Sequence, residues 1–318
     1  MESWQYKHRL NLPLRVKEAR SIATIRKFYQ ETGGNCYISF SGGKDSSLLK
    51  HLTDKTGLDM PLVFCNTGLE YPDLVKHVHY FIKPNDKKET FIKYGFKTDY
   101  YPKSEVYILY PKKNFREVLK QHGVPVVSKE QAAYIRKVRE SDNQDTVDLA
   151  LSNIQEKYKY LIDAPFKISE YCCSVMKKAP FRRFETETGL RAMIGTLAEE
   201  SFLRRQQYMK QGSCIYRDKK RIQAHPLIFW KEQEVLRYIM EEKIVIPEVY
   251  GKIKNSSGYY YTEGVNRTGC MFCLFGIQHE GTPNRIQLMK ESHPKIYNYC
   301  LNQLGYKKIL KYMNIPYK

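Results

Sequence analysis

The spacing of apolar positions predicts an alternation of helices and strands in the first third of the chain. Apolar residues recur at helical spacing over residues 16–29, and the Thr-Gly-Gly-Asn at 32–35 predicts the end of that helix. A short apolar run at 36–40 predicts a strand, a glycine-containing loop follows, and 46–52 predicts a helix. A second buried strand is predicted at 61–65. This strand–helix–strand order is typical of a parallel sheet.

Further strands are predicted at 106–109, 191–195 and 222–224. Residues 111–190 interrupt the alternation, and we interpret them as a mostly helical insertion. Its clearest helix start is Ser128, a capping residue followed by Gln131 three positions later. The pattern therefore predicts an α/β fold with a parallel sheet and a helical insertion.

The last part of the chain changes in character. Residues 232–242 and 284–313 return to helical spacing, whereas 250–268 are rich in Tyr, Gly and Ser and predict a loop. We expect an N-terminal helical extension over 1–35, an α/β domain over 36–230 and a C-terminal helical, cysteine-containing region over 231–318.

The charge balance points to an anionic partner. The chain of 318 residues carries 53 Lys and Arg against 34 Asp and Glu, a formal charge of +19, which favours a nucleic acid such as DNA or tRNA. A codon-usage bias toward Lys, Tyr, Ile and Asn is the alternative explanation. The first residues, MESWQYKHRL, lack the apolar segment of a signal peptide, and no apolar run is long enough for a membrane span. We expect a cytoplasmic protein without a membrane partner.

The loop between the first predicted strand and helix has the chemistry of a phosphate site. Glycines at 42 and 43 leave room for backbone N–H groups to point at an anion, and the helix start adds its positive dipole end. Hydroxyls can donate hydrogen bonds, the lysine supplies charge, and the aspartate can orient the loop or hold Mg²⁺. The candidate residues are Ser41, Gly42, Gly43, Lys44, Asp45 and Ser46, with Lys44, Asp45 and Ser46 as the catalytic candidates.

This loop resembles the SGGxDS loop of the PP-loop ATP pyrophosphatases and the phosphoadenosine phosphosulfate (PAPS) reductase family. The resemblance implies their HUP-type fold, a Rossmann-like, doubly wound parallel sheet, with residues 36–230 as the adenine-nucleotide-binding domain. Four further segments at 66–72, 195–201, 225–230 and 269–273 match that family in order. The resemblance implies ATP, or PAPS or adenosine phosphosulfate (APS), as the bound nucleotide. Leu197 departs from the family, which usually has Arg there. The further nucleotide-binding candidates that the resemblance implies are Thr67, Gly68, Glu70, Gly195, Glu199, Glu200, Arg204 and Arg205.

Eight cysteines in a chain without a secretion signal indicate reduced thiols rather than a disulfide framework. Cys172 and Cys173 are adjacent, and Cys270 and Cys273 form a C-x-x-C pair. Adjacent cysteines rarely chelate one tetrahedral zinc ion, whereas a four-iron, four-sulfur (4Fe–4S) cluster offers separate iron atoms. The pairing resembles the ligand set of iron–sulfur sulfonucleotide reductases and of proteins that install phosphorothioate in DNA. A 4Fe–4S cluster is the favoured hypothesis, with zinc or uncommitted thiols as alternatives.

The sequence leaves three functions open. A sulfonucleotide reductase typically has a nucleophilic cysteine in a C-terminal ECGxH segment, and this sequence has no such motif; Cys300 lies in an aromatic, helical setting that favours a core role. The alternative is cleavage of ATP between its α and β phosphates, with adenylation of an acceptor and sulfur transfer to nucleic acid, as in DNA phosphorothioation. The third is a non-catalytic nucleotide sensor. Possible partners are a cysteine desulfurase as sulfur donor and further copies or subunits in a complex.

An aromatic triplet offers one candidate contact with nucleic acid. Tyr259, Tyr260 and Tyr261 are flanked by Lys252 and Lys254, and by Arg267 a few residues on. Tyrosine rings can stack on bases while cations meet phosphates, but a buried aromatic cluster would produce the same sequence.

Overall fold

The chain folds as two compact units. The computed structural model describes residues 1–218 and 221–318. The first unit, here the sheet unit, contains Met1–Asn66, Tyr71–Tyr110 and Phe181–Thr268. The second, here the cysteine unit, contains Thr67–Glu70, Pro111–Pro180 and Gly269–Lys318. The domain boundaries expected after residues 35 and 230 stay predictions.

Helices and strands alternate through the described residues. The strands are β1 Cys36–Ser39, β2 Leu62–Cys65, β3 Glu89–Lys93, β4 Phe96–Tyr101, β5 Val106–Leu109, β6 Val126–Val127, β7 Arg191–Ile194, β8 Ile215–Arg217, β9 Ile222–Ala224, β10 Ile253–Ser256, β11 Tyr259–Thr262 and β12 Leu274–Phe275. The α-helices are α1 Ser3–Leu10, α2 Leu14–Glu31, α3 Lys44–Asp54, α4 Pro72–Tyr80, α5 Phe115–His122, α6 Lys129–Glu140, α7 Gln144–Asn153, α8 Ala179–Thr188, α9 Phe202–Gln211, α10 Glu232–Glu241, α11 Arg285–Ser292, α12 Pro294–Asn298 and α13 Tyr306–Tyr312. Short 3₁₀ segments lie at Glu156–Asp163, Ala198–Glu200, Glu248–Tyr250 and Ile277–His279, and π-helical segments at Ser174–Lys178 and Tyr299–Gln303.

One sheet organises the sheet unit. Its strand order is β3-β4-β5-β2-β1-β7-β9-β8. The central strands β5, β2, β1, β7 and β9 run parallel, so the parallel strands lie in the order third, second, first, fourth, fifth along the chain. Ile38 of β1 pairs with Leu62 of β2 on one side and with Met193 of β7 on the other. The strand order reverses between β1 and β7, where open α/β sheets place their ligands.

Apolar side chains cover both faces of this sheet. Ile38 packs into a large buried cluster with Leu48 of α3 and Trp230. The neighbouring Tyr37 points to the opposite face and packs with Phe184 of α8. Because successive residues of a strand face opposite sides, a strand buried on both faces has a continuous apolar sequence. The α/β, Rossmann-like fold predicted from the sequence is confirmed.

Several predicted boundaries need correction. Helix α3 begins at Lys44 rather than at residue 46, because Gly43 serves as its N-terminal cap. The predicted loop at 250–268 contains the antiparallel hairpin β10–β11. The hairpin β3–β4 at the edge of the large sheet was not predicted, since every residue of β3 is exposed and the strand shows no buried alternation.

The cysteine unit is mainly helical, as expected for the insertion and the C-terminal region. Ser128 caps α6 by accepting a hydrogen bond from the backbone N–H of Gln131 at 3.1 Å, so the predicted helix start is confirmed. The strands β6 and β12 form a small parallel pair. Over the described ranges, no helix combines the length and hydropathy needed to cross a membrane.

Candidate nucleotide site and cysteine cluster

Two glycines shape the loop between β1 and α3. Gly42 has a φ of +76°, and a Cβ atom there would lie 2.9 Å from the carbonyl oxygen of Leu74. A Cβ on Gly43 would lie 3.1 Å from both Thr268 Oγ1 and the hydroxyl of Tyr250. This turn therefore requires glycine for two reasons. Gly42 has a left-handed backbone conformation, and a side chain at either position would approach neighbouring oxygen atoms too closely. The first N–H groups of a helix have no partner within it, and at this turn the N–H of Lys44 donates to the hydroxyl of Tyr250 at 3.3 Å.

Hydroxyl groups hold the loop in shape. Ser46 Oγ donates to the carbonyl of Gly43 at 2.9 Å and lies 3.1 Å from Ser41 Oγ. The N–H of Gly43 donates to Ser41 Oγ at 3.3 Å. The two serines of the predicted motif thus contact each other across the glycine turn.

Charged groups surround the start of α3. The buried ammonium of Lys44 lies 3.1 Å from Glu232 Oε1 and 3.8 Å from Asp45 Oδ2, and it donates to the carbonyl of Asn266 at 3.3 Å. Burial acts to lower the pKa of this ammonium, but Asp45, Tyr250 and Glu232 outweigh burial and raise it. Burial raises the pKa of Asp45, and its Oδ1 has no hydrogen-bond partner among the described residues.

The segment after β7 packs beneath this loop. A Cβ on Gly195 would lie 2.8 Å from the carbonyl oxygen of Asp45, so the two backbones approach closely. Glu199 Oε1 accepts a hydrogen bond from the N–H of Glu232, the same residue that pairs with the loop lysine. Leu197 is buried in the large apolar cluster. The position where the resemblance leads us to expect Arg therefore contributes packing here.

Two arginines meet at Glu200, whereas a third points elsewhere. Arg204 forms an ion pair with Glu200, and Arg267 lies 3.8 Å from the same carboxylate. Arg205 stacks on the ring of Phe202, with 5.3 Å from the guanidinium carbon to the ring centroid.

A histidine network lies at the end of β9. His225 Nδ1 is 2.8 Å from Thr196 Oγ1, and its Nε2 is 2.9 Å from Gln223 Nε2. Burial lowers the pKa of His225 to about 4, so the imidazole is neutral at physiological pH.

The turn at 67–70 belongs to the cysteine unit. Thr67 donates through its N–H to Glu70 Oε2 at 2.9 Å and through its hydroxyl to Oε1 at 2.8 Å. Gly68 takes a left-handed φ of +73° between them. Lys177 Nζ lies 3.3 Å from Glu70 Oε1. Three of the predicted nucleotide ligands therefore form one self-contained turn in this unit.

The four candidate metal ligands line one cavity of the cysteine unit, together with Lys177 and Leu69. Cys172 and Cys173 immediately precede the π-helical segment, and their Sγ atoms are 3.9 Å apart. Cys270 and Cys273 lie on a tight turn in which the N–H of Cys273 donates to the carbonyl of Cys270 at 3.1 Å. Within residues 1–218 and 221–318, no group of three or more His, Cys, Asp or Glu side chains is arranged to hold a metal ion.

Electrostatics distinguish these thiols. A hydrogen bond from Cys172 and the charges of Lys129 and Lys177 lower the pKa of Cys173 to about 5, against the effect of burial. The pKa of Cys172 is raised by the same hydrogen bond and by burial. Burial raises the pKa of Cys270 to about 11 and also raises that of Cys273. The positive charges of Lys129 and Lys177 thus favour the thiolate form of Cys173 over that of the other three thiols.

The remaining cysteines are not among the lining residues of this cavity. Cys36 and Cys65 are buried in strands of the sheet unit, and Cys300 is buried in the cysteine unit. Cys214 precedes β8 and lines a different pocket.

The hairpin β10–β11 presents tyrosines to solvent. Tyr259 is 63% exposed and Tyr261 is 40% exposed, so the buried-cluster explanation of the triplet is wrong. The side-chain amide of Gln233 fixes the hairpin to α10, because it donates to the carbonyl of Tyr260 and accepts from its N–H, both at 2.8 Å. Lys254 lies opposite Tyr261 across the hairpin.

A family model matches most of the chain. The model described as the phosphoadenosine phosphosulfate reductase domain matches residues 35–144 and 127–274. The chain belongs to the PAPS reductase family. The matched region includes the glycine turn and both cysteine pairs of this family member.

Curated relatives of the chain come from an archaeon. Two uncharacterised proteins of Methanocaldococcus jannaschii are 24% identical over 297 residues and 25% identical over 292 residues. The matches cover 91% and 90% of this chain but 54% and 45% of those proteins. This PAPS reductase family chain therefore spans about half the length of the curated relatives it matches.

Similarity to solved structures is more distant. A PAPS reductase from Candida auris in complex with phosphate is 16% identical, with a TM-score of 0.40, covering 80% of this chain and 96% of that one. FMN adenylyltransferase from Candida glabrata in complex with ATP is 12% identical, with a TM-score of 0.35, covering 77% and 64% of the two chains.

Several residues that contact the glycine turn could not be identified from the sequence. Tyr250, Asn266 and Thr268 contact the loop, and Glu232 pairs with its lysine, yet all four follow the motif by about 200 residues. The segment 266–268 directly precedes the C-x-x-C element of the family resemblance. That position is the one feature of the sequence that could have suggested a contact with the glycine turn. The contacts themselves depend on the tertiary fold.

Proposed function

We propose that this chain is an enzyme that binds ATP at residues 41–46, cleaves it between the α and β phosphates, and adenylates an oxygen of a nucleic acid for sulfur transfer. The observation that carries the proposal is the buried Lys44 ammonium beside an unpartnered Asp45 oxygen at the glycine turn. A buried cation and the N–H groups at a helix start favour a phosphate chain. Family membership supports an adenine nucleotide as the ligand.

The loop residues have distinct tasks in this reaction. The N–H groups at the start of α3 hold phosphate oxygens, and Lys44 balances negative charge that develops on the leaving pyrophosphate. Ser41 and Ser46 keep the turn in shape through their mutual contact. Asp45 fits a Mg²⁺ ion that accompanies ATP, because carboxylate and phosphate oxygens are the ligands that Mg²⁺ prefers.

The bonds that change are few. An oxygen of the acceptor attacks the α phosphorus, a new P–O bond forms, and pyrophosphate leaves with the electrons of the broken bond. The adenylated oxygen is then a good leaving group, and a sulfur nucleophile displaces it as AMP. A persulfide on a partner such as a cysteine desulfurase is the sulfur source that fits this step. Its outer sulfur displaces AMP and leaves the acceptor joined to the partner's cysteine by a disulfide, which a thiol reductant then cleaves so that the sulfur stays on the acceptor.

The cysteine cavity fits an iron–sulfur cluster by its donor set. Cys172, Cys173, Cys270 and Cys273 line it, and thiolates are the ligands of 4Fe–4S clusters. When bound, such a cluster supplies single electrons or an iron site for sulfur. The positive charges of Lys129 and Lys177 favour the thiolate form of Cys173 that ligation requires. The combination is closest in type to the ATP pyrophosphatases of DNA phosphorothioation.

The exposed hairpin supports a nucleic acid as the acceptor. Tyr259 and Tyr261 offer ring faces to solvent, and Lys252 and Lys254 are exposed beside them. Stacking on tyrosine with cations at the backbone is how single strands are bound without sequence preference. The overall charge of +19 favours the same partner.

The family match favours a second candidate, a sulfonucleotide reductase that converts PAPS or APS to sulfite at the same loop. One set of assays separates the candidates: purified chain with ATP or PAPS, with and without single-stranded DNA or tRNA, measuring pyrophosphate and sulfite. We expect pyrophosphate from ATP, increased by nucleic acid, and its loss in Lys44→Gln but not in Lys50→Gln on the same helix. Sulfite from PAPS would establish the reductase instead. ATP binding without either product would indicate a nucleotide sensor.

A further inference from the structure

A second basic pocket lies in the sheet unit and shares no lining residue with the glycine turn. It has a volume of about 300 Å³ and lies between α1, α2, α9 and the segment that leads into β8. Three cationic side chains line it, Arg9, Arg20 and Lys27, and no carboxylate is among its lining residues. Unbalanced positive charge in a concave site attracts an anion.

Arg9 is held in place at the edge of this pocket. Its Nη1 donates to the hydroxyl of Tyr208 and to the carbonyl of Gly212, both at 2.9 Å, and its guanidinium carbon lies 5.7 Å from the Tyr208 ring centroid. A guanidinium fixed by its neighbours loses little conformational entropy when it binds an anion.

The other two cations share one face of α2. Arg20, Thr24 and Lys27 are separated by four and three positions, the spacing that brings side chains onto one helical face. Thr24 donates its hydroxyl to the carbonyl of Arg20 at 2.8 Å, and Lys27 Nζ reaches Glu31, one turn further along the helix, only at 4.0 Å. That contact is long and exposed, so it competes weakly with a ligand.

The inner wall of the pocket is apolar and uncharged. Phe229 and Ile215 are buried side chains that line it, and Cys214 lies beside them. Burial raises the pKa of Cys214, so its thiol stays neutral at physiological pH. The pocket thus combines a cationic rim with an apolar wall, at the lower end of the size range of small-molecule sites.

We propose that this pocket binds a small organic phosphate, with the phosphate held by Arg9, Arg20 and Lys27 and the apolar body of the ligand against Ile215 and Phe229. The site is independent of the ATP-cleaving function proposed above, since it shares no residue with the glycine turn.

The test is a calorimetric titration of the full chain with inorganic phosphate and with phenyl phosphate. The double variant Arg20→Gln/Lys27→Gln removes two rim charges. Its matched control is Arg15→Gln/Arg26→Gln, which removes two exposed charges from the same helix outside the pocket. A third variant, Thr24→Glu, places a carboxylate in the pocket. Any phosphate that binds at the glycine turn contributes equally to the titrations of the wild-type chain and of each variant.

We expect the wild-type chain to bind phenyl phosphate more tightly than inorganic phosphate. The affinity for phenyl phosphate at one class of site should fall at least tenfold in the double variant and in Thr24→Glu. In the control it should change less than twofold. The thermal midpoints of all these proteins should be alike. Equal titrations of the double variant and control would overturn the proposal, as would no binding by the wild type. A single-stranded oligonucleotide that displaces phenyl phosphate, dependent on Arg20 and Lys27, would also overturn it and assign the pocket to a nucleic-acid backbone.

Discussion

The hydroxyl of Ser47 lies 3.0 Å from Nε2 of His77, which joins the first turn of α3 to α4. Ser47 also donates to the carbonyl of Gly43 at 3.1 Å, so the histidine supports the glycine turn from behind. The imidazole is buried against the rings of Phe40 and Phe81, at centroid distances of 5.9 Å and 5.3 Å. Burial lowers the pKa of His77 to about 4.

This burial predicts a loss of stability in acid. Between pH 6.5 and about 4 the unfolded chain binds a proton at this histidine and the folded chain does not, so the free energy of unfolding falls as pH falls through that window. For His77 the loss is about 2 kcal/mol at pH 4.5. Denaturant unfolding should show a smaller drop between pH 6.5 and 4.5 for His77→Gln than for wild type. His79→Gln, an exposed change on the same helix, should keep the wild-type drop; a wild-type drop in His77→Gln would contradict the assignment.

Gly195→Ala should displace the start of α3 at the nucleotide site. The added Cβ would lie 2.8 Å from the carbonyl oxygen of Asp45, so one of the two backbones must shift. Overpacking of this kind costs about 1–3 kcal/mol. We expect a lower thermal midpoint together with at least tenfold weaker ATP binding. Gly281→Ala, where a Cβ meets no atom within 4 Å, is the control, and equal behaviour of the two variants would show that the contact is unimportant.

Anaerobic purification tests the cluster. We expect a brown protein with about four iron atoms per chain, bound by the four thiols of the cavity. Cys173→Ala should lose most of the iron, since it removes the thiol with the lowered pKa. Cys65→Ala, a buried strand position in the sheet unit, should retain it. A colourless, folded wild-type chain without iron would remove the cluster, and stoichiometric zinc would favour the alternative metal.

The tyrosine hairpin should dominate binding of single-stranded nucleic acid. Each stacked base contributes about 1–3 kcal/mol, so Tyr259→Ala and Tyr261→Ala should each weaken binding about tenfold or more. Tyr94→Ala, which removes an exposed tyrosine from the turn of the hairpin β3–β4, should leave binding unchanged. Fluorescence anisotropy at several salt concentrations measures both effects. Binding that does not weaken with added salt would argue against phosphate contacts.

The sequence predicted the central sheet well because its strands are short apolar runs between turn residues. The strands β1, β2, β5, β7 and β9 all lie where the pattern predicted them. The edge hairpin β3–β4 was missed since β3 has no buried face, and a strand without a buried face has no periodic signal.

Only the part of the candidate site that is local in the sequence could be predicted. The glycine turn is local, so its residues can be recognised from a single stretch of sequence. The start of α3 was placed two residues late because its N-terminal cap is Gly43, which has no side chain to mark a cap. The burial of Lys44 was not predictable either, since it depends on partners such as Glu232 and Asn266 far along the chain. Equally, no sequence pattern shows that Gln233 fixes Tyr260 and leaves its two neighbours exposed. Such contacts depend on tertiary structure.

The most direct measurement is a crystal structure of the chain with Mg²⁺ and a non-hydrolysable ATP analogue. The account predicts that the phosphates lie against the N–H groups at the start of α3, with Lys44 on the phosphates and Asp45 on the metal ion. An analogue bound elsewhere, with the glycine turn empty at a saturating concentration, would contradict it.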